Sequence, residues 1–290
     1  MSVPPLLPGP DPHLRGPSRA FPHGACDCHA HVFGPEAAFP YVANAAYRFP
    51  AVGLDDYKAM LAALGCTRGV LVQPSVYGTD NRFMVEVLRR APTMLRGVAV
   101  VAPDVSDAEI EALHEAGVRG VRVNLASQTA GLTLDDAPRL AARIKGLGWH
   151  LQFFPNLAKM PDLAERLAAL PVPCVIDHFG LAMAADGTQG SAFQSLLRLA
   201  ALEHVWFKLV GPYRLSTRVP DFPDVAPLAR RLIAAAPTRC VWATDWPHPN
   251  AVPMPNDGDL AEALFVWAPD EQVRTRILVE NPARLYGFAE

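Results

Sequence analysis

From residue 25 onward, two kinds of segment take turns along this chain. Short runs rich in Val, Leu, Ile, Phe and Trp fall at 26–31, 69–73, 97–101, 120–124, 150–154, 174–177, 205–209 and 240–244. Stretches with apolar residues at helical spacing lie between them, at 55–64, 81–90, 107–116, 135–147, 161–170, 192–201 and 225–235, and two more follow at 260–267 and 270–279. Near-continuous apolar runs of this length read as strands covered on both faces, the habit of parallel strands linked by helices. Eight strand-then-helix units are the content of an α/β fold of the (β/α)8 TIM-barrel type. A doubly wound open sheet is the second arrangement, but no Gly-x-Gly-x-x-Gly turn follows any of the runs, which removes its usual nucleotide site. Asp80 and Ser106 precede helical stretches as caps, and Gly65, Gly117 and Gly148 stand just past helix ends.

Residues 1–24 carry seven prolines, each lacking a backbone donor, and predict an extended N-terminal arm rather than an element of the barrel at 25–290. The 26 basic and 29 acidic residues leave a net charge of −3 with no run of one sign, which argues against nucleic acid or a membrane surface as partner. A small molecule is the expected partner, with a homo-oligomer left open. Cys26, Cys28, Cys66, Cys174 and Cys240 are odd in number and sit in apolar segments, as buried free thiols do in a reducing compartment. No apolar run has the eighteen or so residues of a spanning helix, and the start has no leader pattern, so the expected location is cytoplasmic.

A barrel of this kind places its chemistry at the strand C-terminal ends, where all the following loops converge. The first run carries His29 and His31; period-two alternation puts them on one face with Asp27, and Cys26, Cys28 and Ala30 on the other. At about 3.3 Å per residue their backbones stand roughly 6.6 Å apart, within reach of one ion or one oxygen. The sixth run ends in Asp177-His178 and the eighth in Thr244-Asp245. His29, His31 and His178 are thus expected either to hold a divalent cation with Asp245 or to donate hydrogen bonds to a carbonyl oxygen. Asp245, its pKa raised by a partly dry pocket, is expected to take the proton of an attacking water.

Arg122 leaves strand four and Arg214 strand seven toward the same mouth. With no phosphate loop in the chain, two guanidinium groups there read as a carboxylate clamp. Ser75, Tyr47, Tyr77, His248 and Asn250 complete the expected polar lining, while Arg119 is left to the surface or the bottom face.

The segments Asp27-Cys28-His29-Ala30-His31-Val32-Phe33-Gly34-Pro35, Gln73-Pro74-Ser75-Val76-Tyr77-Gly78, Gly120-Val121-Arg122-Val123-Asn124, Ile176-Asp177-His178-Phe179-Gly180, Gly211-Pro212-Tyr213-Arg214 and Thr244-Asp245-Trp246-Pro247-His248-Pro249 together resemble the amidohydrolase superfamily. Within it they are similar to the branch containing 2-pyrone-4,6-dicarboxylate lactonase, over residues 25 to 288. The resemblance implies a (β/α)8 barrel and water attack on a lactone carbonyl in a small carboxylated or sugar-acid cyclic ester. It also implies His29, His31 and His178 around the carbonyl, Asp245 as base, and Arg122, Arg214, Ser75, Tyr47, His248 and Asn250 on the substrate. Gln128 and Phe154 stand where that branch carries a second arginine and a tyrosine, so a lactone with a single carboxylate is expected to be preferred. Either no cofactor or one divalent ion, Zn²⁺ or Mn²⁺, is implied, held by His29, His31, His178 and Asp245. Two alternatives are a single-metal decarboxylase of the same superfamily and a non-catalytic small-molecule-binding barrel.

Overall fold

A computed structural model describes residues 4–126 and 131–289. Its eight strands are β1 (Cys26–Ala30), β2 (Arg68–Val72), β3 (Leu95–Ala99), β4 (Val118–Asn124), β5 (His150–Phe154), β6 (Cys174–Ile176), β7 (Val205–Leu209) and β8 (Cys240–Trp242). Each pairs in parallel with the next in chain order. The ring is completed just beyond β8, where Asp245 N donates to the His29 carbonyl at 2.9 Å and His31 N to the Trp246 carbonyl at 2.7 Å. This is a (β/α)8 barrel.

The helices between the strands are α1 (Leu54–Leu64), α2 (Arg82–Arg90), α3 (Asp107–Glu115), α4 (Ala137–Ile144), α5 (Leu163–Ala168), α6 (Ser191–Ala200) and α7 (Ala226–Ala235). After β8 come α8 (Asp257–Trp267), α9 (Glu271–Thr275) and α10 (Asn281–Tyr286). Sequence signals act where they were read: Ser106 accepts the Glu109 amide at the start of α3, and Gly65 takes φ +78° at the end of α1. Helix α2 begins one residue later than its periodicity suggests, capped from outside by Asp80, which accepts the Arg82 amide.

Two apolar layers hold the barrel. Strand residues such as Leu71, Val121, Phe153, Phe207 and Trp242 face the helices, while Cys26, Cys28, Val70, Val72, Val98, Val175, Trp206 and Val241 pack with Tyr286 and Phe288. The second group joins β1, β2, β3, β6, β7 and β8, so it fills the interior. This corrects the simple alternation read for the first strand. A register shift between Asp27 and Ala30 breaks the period, leaving Cys26 and Cys28 inside the barrel and the Asp27 carboxylate turned away from the histidine rings. Asp27 instead accepts Thr244 N at 2.9 Å, Thr244 Oγ1 at 2.8 Å and the Tyr57 hydroxyl at 3.0 Å, latching β1 to the segment that carries Asp245. All five cysteines are free and buried.

The N-terminal arm runs along the outside of the barrel. Leu6 bridges to Arg48, Asp11 and the His13 carbonyl accept Asn256 Nδ2, Arg15 pairs with Asp259 on α8, and Phe21 meets Trp242 and Phe265 edge-on. Among the described residues no helix is long and apolar enough to cross a membrane.

Candidate active site

His31 Nδ1 lies 2.7 Å from the Val72 carbonyl at the end of β2. A carbonyl only accepts, so that nitrogen carries the proton and Nε2 presents a lone pair. His29, wholly buried, has Nδ1 at 3.4 Å from Asp177 Oδ1 and 3.4 Å from Lys208 Nζ. Lys208 donates to Gln152 Oε1 at 2.7 Å, and Gln152 Nε2 donates to Asp177 Oδ2 at 2.8 Å. Burial, helped by the Lys208 charge, lowers His29 well below the ordinary imidazole range and keeps it neutral. Burial pushes Asp177 up, but the charge of Lys208 outweighs it and holds the carboxyl below the usual range. His29 Nδ1 thus stands between the Lys208 ammonium, which can only donate, and the Asp177 carboxylate, while its Nε2 faces Asp245.

Asp245 follows β8 in a left-handed backbone conformation, φ +68°. Such strain is tolerated at functional sites where the surroundings fix it. Its two oxygens are used differently. Oδ2 accepts the Tyr213 hydroxyl at 2.6 Å, Arg214 Nη2 at 2.7 Å and Arg214 Nε at 3.1 Å. Oδ1 lies 3.3 Å from His31 Nε2 and 3.6 Å from His29 Nε2, and has no hydrogen-bond donor among the described residues. The expectation of a raised pKa is overturned. Burial does push the carboxyl up, but the Arg214 guanidinium holds it well below the usual carboxylate range.

His178 also sits at positive φ, +48°, with its ring 5.2 Å from that of His29 and 4.9 Å from that of Phe154. Burial pushes it down to about 3, so the ring is neutral with a single N–H. Its Nδ1 packs on Gly211, where φ is +63° and a Cβ would come within 2.7 Å of that nitrogen. Only glycine fits there.

The donor set fits one divalent ion. A tetrahedral zinc with bonds of about 2.0–2.1 Å separates neighbouring ligand atoms by about 3.4 Å. The 3.3 and 3.6 Å separations from Asp245 Oδ1 to the two histidine Nε2 atoms match that edge. His29, His31 and Asp245 converge in this way, whereas His178 converges with His29 and Asp177. The single four-residue ligand set read from the sequence is therefore split in two, sharing His29. An ion held there supplies Lewis-acid polarisation and a more acidic bound water.

Beside this centre a small cavity is lined by Ser75, Val100, Arg122, Asn124 and Leu132. Arg122 is buried, its Nε 3.7 Å from Asp177 Oδ2 with no hydrogen-bond acceptor among the described residues, and its guanidinium lies over the Phe154 ring at 5.4 Å. Tyr47 is hydrogen-bonded to the Ser75 side chain and feels the charges of Arg122, Asp245 and Arg214, while burial pushes its hydroxyl up to about 12. Phe154 puts a bare ring where a hydroxyl would otherwise stand.

Three residues expected in the lining are placed elsewhere. The Tyr77 hydroxyl accepts Gly34 N at 3.0 Å within a stack with Tyr41 and Phe33. His248 is fully buried with Nδ1 at 3.3 Å from the Tyr213 hydroxyl and Nε2 at 3.0 Å from Asp257 Oδ1, so both ring nitrogens are engaged behind the site. Asn250 is exposed on the rim at φ +64°. Gln128 lies outside the described residues. Tyr213, Asp177, Lys208 and Gln152 also meet at this centre; they stand at strand ends and in the loops that follow, but the sequence reading assigns none of them a role. A signal for three of them was present, since a lysine, a glutamine and an aspartate within or just after buried parallel strands are costly unless they pair.

The amidohydrolase family model matches residues 26–288. The 4-sulfomuconolactone hydrolase of Hydrogenophaga intermedia is 37% identical, over 99% of this chain and 96% of its own length. The 2-pyrone-4,6-dicarboxylate hydrolase of Comamonas testosteroni is 38% identical over 93% and 92% respectively. A solved structure from Pseudomonas putida, described as a candidate 2-pyrone-4,6-dicarboxylic acid hydrolase, superposes with a TM-score of 0.81 at 33% identity, covering 92% of this chain and 98% of that one. With matching motifs, a matching barrel and relatives aligned end to end, this chain belongs to the amidohydrolase family.

Proposed function

We propose that this protein is a hydrolase that opens the lactone ring of a small anionic cyclic ester by water attack, with Asp245 as the proton acceptor. One observation carries the reading: Asp245 spends Oδ2 on Arg214 and Tyr213 and turns Oδ1, without a donor among the described residues, toward the Nε2 atoms of His31 and His29. Asp245 Oδ1 and the lone pair of His31 Nε2, 3.3 Å apart, repel one another unless a proton or a cation lies between them. A water donating one hydrogen to Asp245 Oδ1 and the other to His31 Nε2 satisfies both, and its own lone pair then faces the cavity.

The steps follow from that placement. Arg122 and the free arm of Arg214 hold the anionic group of the substrate, which sets the lactone carbonyl against the water. As the water oxygen bonds to the carbonyl carbon, its proton passes to Asp245 and the neutral His178 offers its N–H to the growing oxyanion. His31, with its proton turned to the Val72 carbonyl, acts as an acceptor. Collapse of the tetrahedral species breaks the ring ester bond, and the proton on Asp245 goes to the leaving alkoxide or enolate oxygen.

Ring opening yields a carboxylic acid that ionises at neutral pH, so proton release reports it. Assays of 4-sulfomuconolactone, 2-pyrone-4,6-dicarboxylate and muconolactone, which bears one carboxylate, should give turnover on at least one. With Gln128 and Phe154 standing where the pyrone dicarboxylate branch carries an arginine and a tyrosine, muconolactone should exceed the pyrone dicarboxylate in kcat/KM by roughly ten- to a hundredfold, the worth of one lost hydrogen bond to a charged group. No proton release from any of the three overturns the proposal.

A further inference from the structure

The Tyr213 hydroxyl contacts Asp245 Oδ2 at 2.6 Å on one side and His248 Nδ1 at 3.3 Å on the other. His248 is itself held from behind by Asp257 Oδ1 at 3.0 Å, and Asp257 is the first residue of α8. His248 and Asp257 are buried, and the His248 and Tyr213 rings meet edge-on at 5.7 Å. The row Asp257, His248, Tyr213, Asp245 therefore ties the start of α8 to one oxygen of the proposed base. Ionic contact from Arg214 alone leaves a carboxylate free to rotate about its last bond; a second donor from a different direction fixes which oxygen faces the histidines. Fixing a reacting group within a few tenths of an ångström is where supporting contacts earn rate.

We propose that Asp257 and His248 are positioning residues that press the Tyr213 hydroxyl onto Asp245, so that Oδ1 stays aimed at His29 and His31. The inference rests on the reading of Asp245 as the base. It assigns His248 to the support of the base instead of to substrate, because neither ring nitrogen is left for a ligand. Arg214 keeps its place in the clamp, and Tyr213 reaches the chemistry only through Asp245.

The experiment is a double-mutant cycle on the full chain with 4-sulfomuconolactone and muconolactone as substrates. Tyr213→Phe deletes one oxygen and should lower kcat about five- to thirtyfold with KM within twofold. Asp257→Ala should lower kcat several-fold, Asp257→Asn, which keeps an acceptor for His248, should recover most of that loss, and Tyr213→Phe with Asp257→Ala should be no slower than Tyr213→Phe alone. Unchanged kcat in Tyr213→Phe, or losses that multiply in the double variant, overturn the proposal. A crystal structure of Asp257→Ala gives a readout free of substrate: the Tyr213 oxygen should move beyond 3.5 Å from Asp245. Retention of the short contact contradicts the inference even if neither lactone is turned over, an outcome that would count against the proposed function separately.

Discussion

Arg119 and Arg122 lie three residues apart on β4, and the barrel gives them opposite tasks. At the bottom, Arg119 Nη1 donates to the His114 carbonyl at 2.9 Å and the Val118 carbonyl at 2.7 Å. Arg96 and Arg239 do the same around that rim, Arg239 reaching the Leu202, Val205 and Ala200 carbonyls at 2.6 to 2.9 Å. Those carbonyls close helix ends and strand starts, and a cation there satisfies them and their negative dipole ends. At the mouth, Arg122 and Arg214 face carboxylates instead, and Arg122 keeps its Nε without an acceptor among the described residues. The same side chain is structural where its Nη groups cap backbone carbonyls at the bottom rim and belongs to the site where it faces carboxylates at the mouth.

The largest effect that sharpens this contrast belongs to the carboxylate opposite the arginines. Asp245→Asn keeps shape and removes the proton acceptor, so kcat should fall by roughly 10²–10⁴-fold while KM moves little; turnover near the wild-type rate would remove Asp245 from the mechanism. Arg214→Lys comes next. A pure anchor raises KM alone, but Arg214 also holds Asp245 with two bonds that an ammonium cannot reproduce, so kcat and KM should both suffer and kcat/KM should drop on the order of 10²-fold. A change confined to KM would return Arg214 to the role of anchor.

A third prediction concerns the middle of the barrel. His150 is buried against the Tyr286 ring, in space that Gly120 leaves open, with neither ring nitrogen hydrogen-bonded among the described residues, and burial pushes it down to about 3. An imidazole that stays neutral when folded and protonates near pH 6.5 when unfolded binds fewer protons in the native state between those values. Its contribution is whole above pH 6.5 and is lost as pH falls toward 3, with a slope of about 1.4 kcal/mol per pH unit. Urea unfolding between pH 6 and 4 should therefore be less steeply pH-dependent for His150→Gln than for wild type. Equal slopes would refute the assignment.

Much of this was legible in the chain before any coordinates. Period and apolar run length carry the barrel, because each strand is buried on both faces, and strand ends locate His29, His31, His178, Asp245, Arg122 and Arg214 at one mouth. What stayed hidden depends on contacts far apart in sequence. The shifted register in β1 has no local signal, so Asp27 looked like a partner of the histidines when it secures Thr244. The fall in the Asp245 pKa comes from Arg214, whose approach no spacing rule gives. His248 carries a motif but stands behind Tyr213, a distinction made only by the position of Asp257 on α8.

The most direct test of the account sets Arg122→Met beside Arg119→Met, with kcat/KM and urea-unfolding free energy measured on both. Arg122→Met should lose at least tenfold in kcat/KM, mostly through KM, with stability changed by less than about 1 kcal/mol. Arg119→Met should lose about 1–2 kcal/mol of stability by stripping backbone carbonyls of a charged donor, and should keep kcat/KM within about twofold. If activity falls with Arg119 and stability with Arg122, the division of labour between the two ends of the barrel is contradicted.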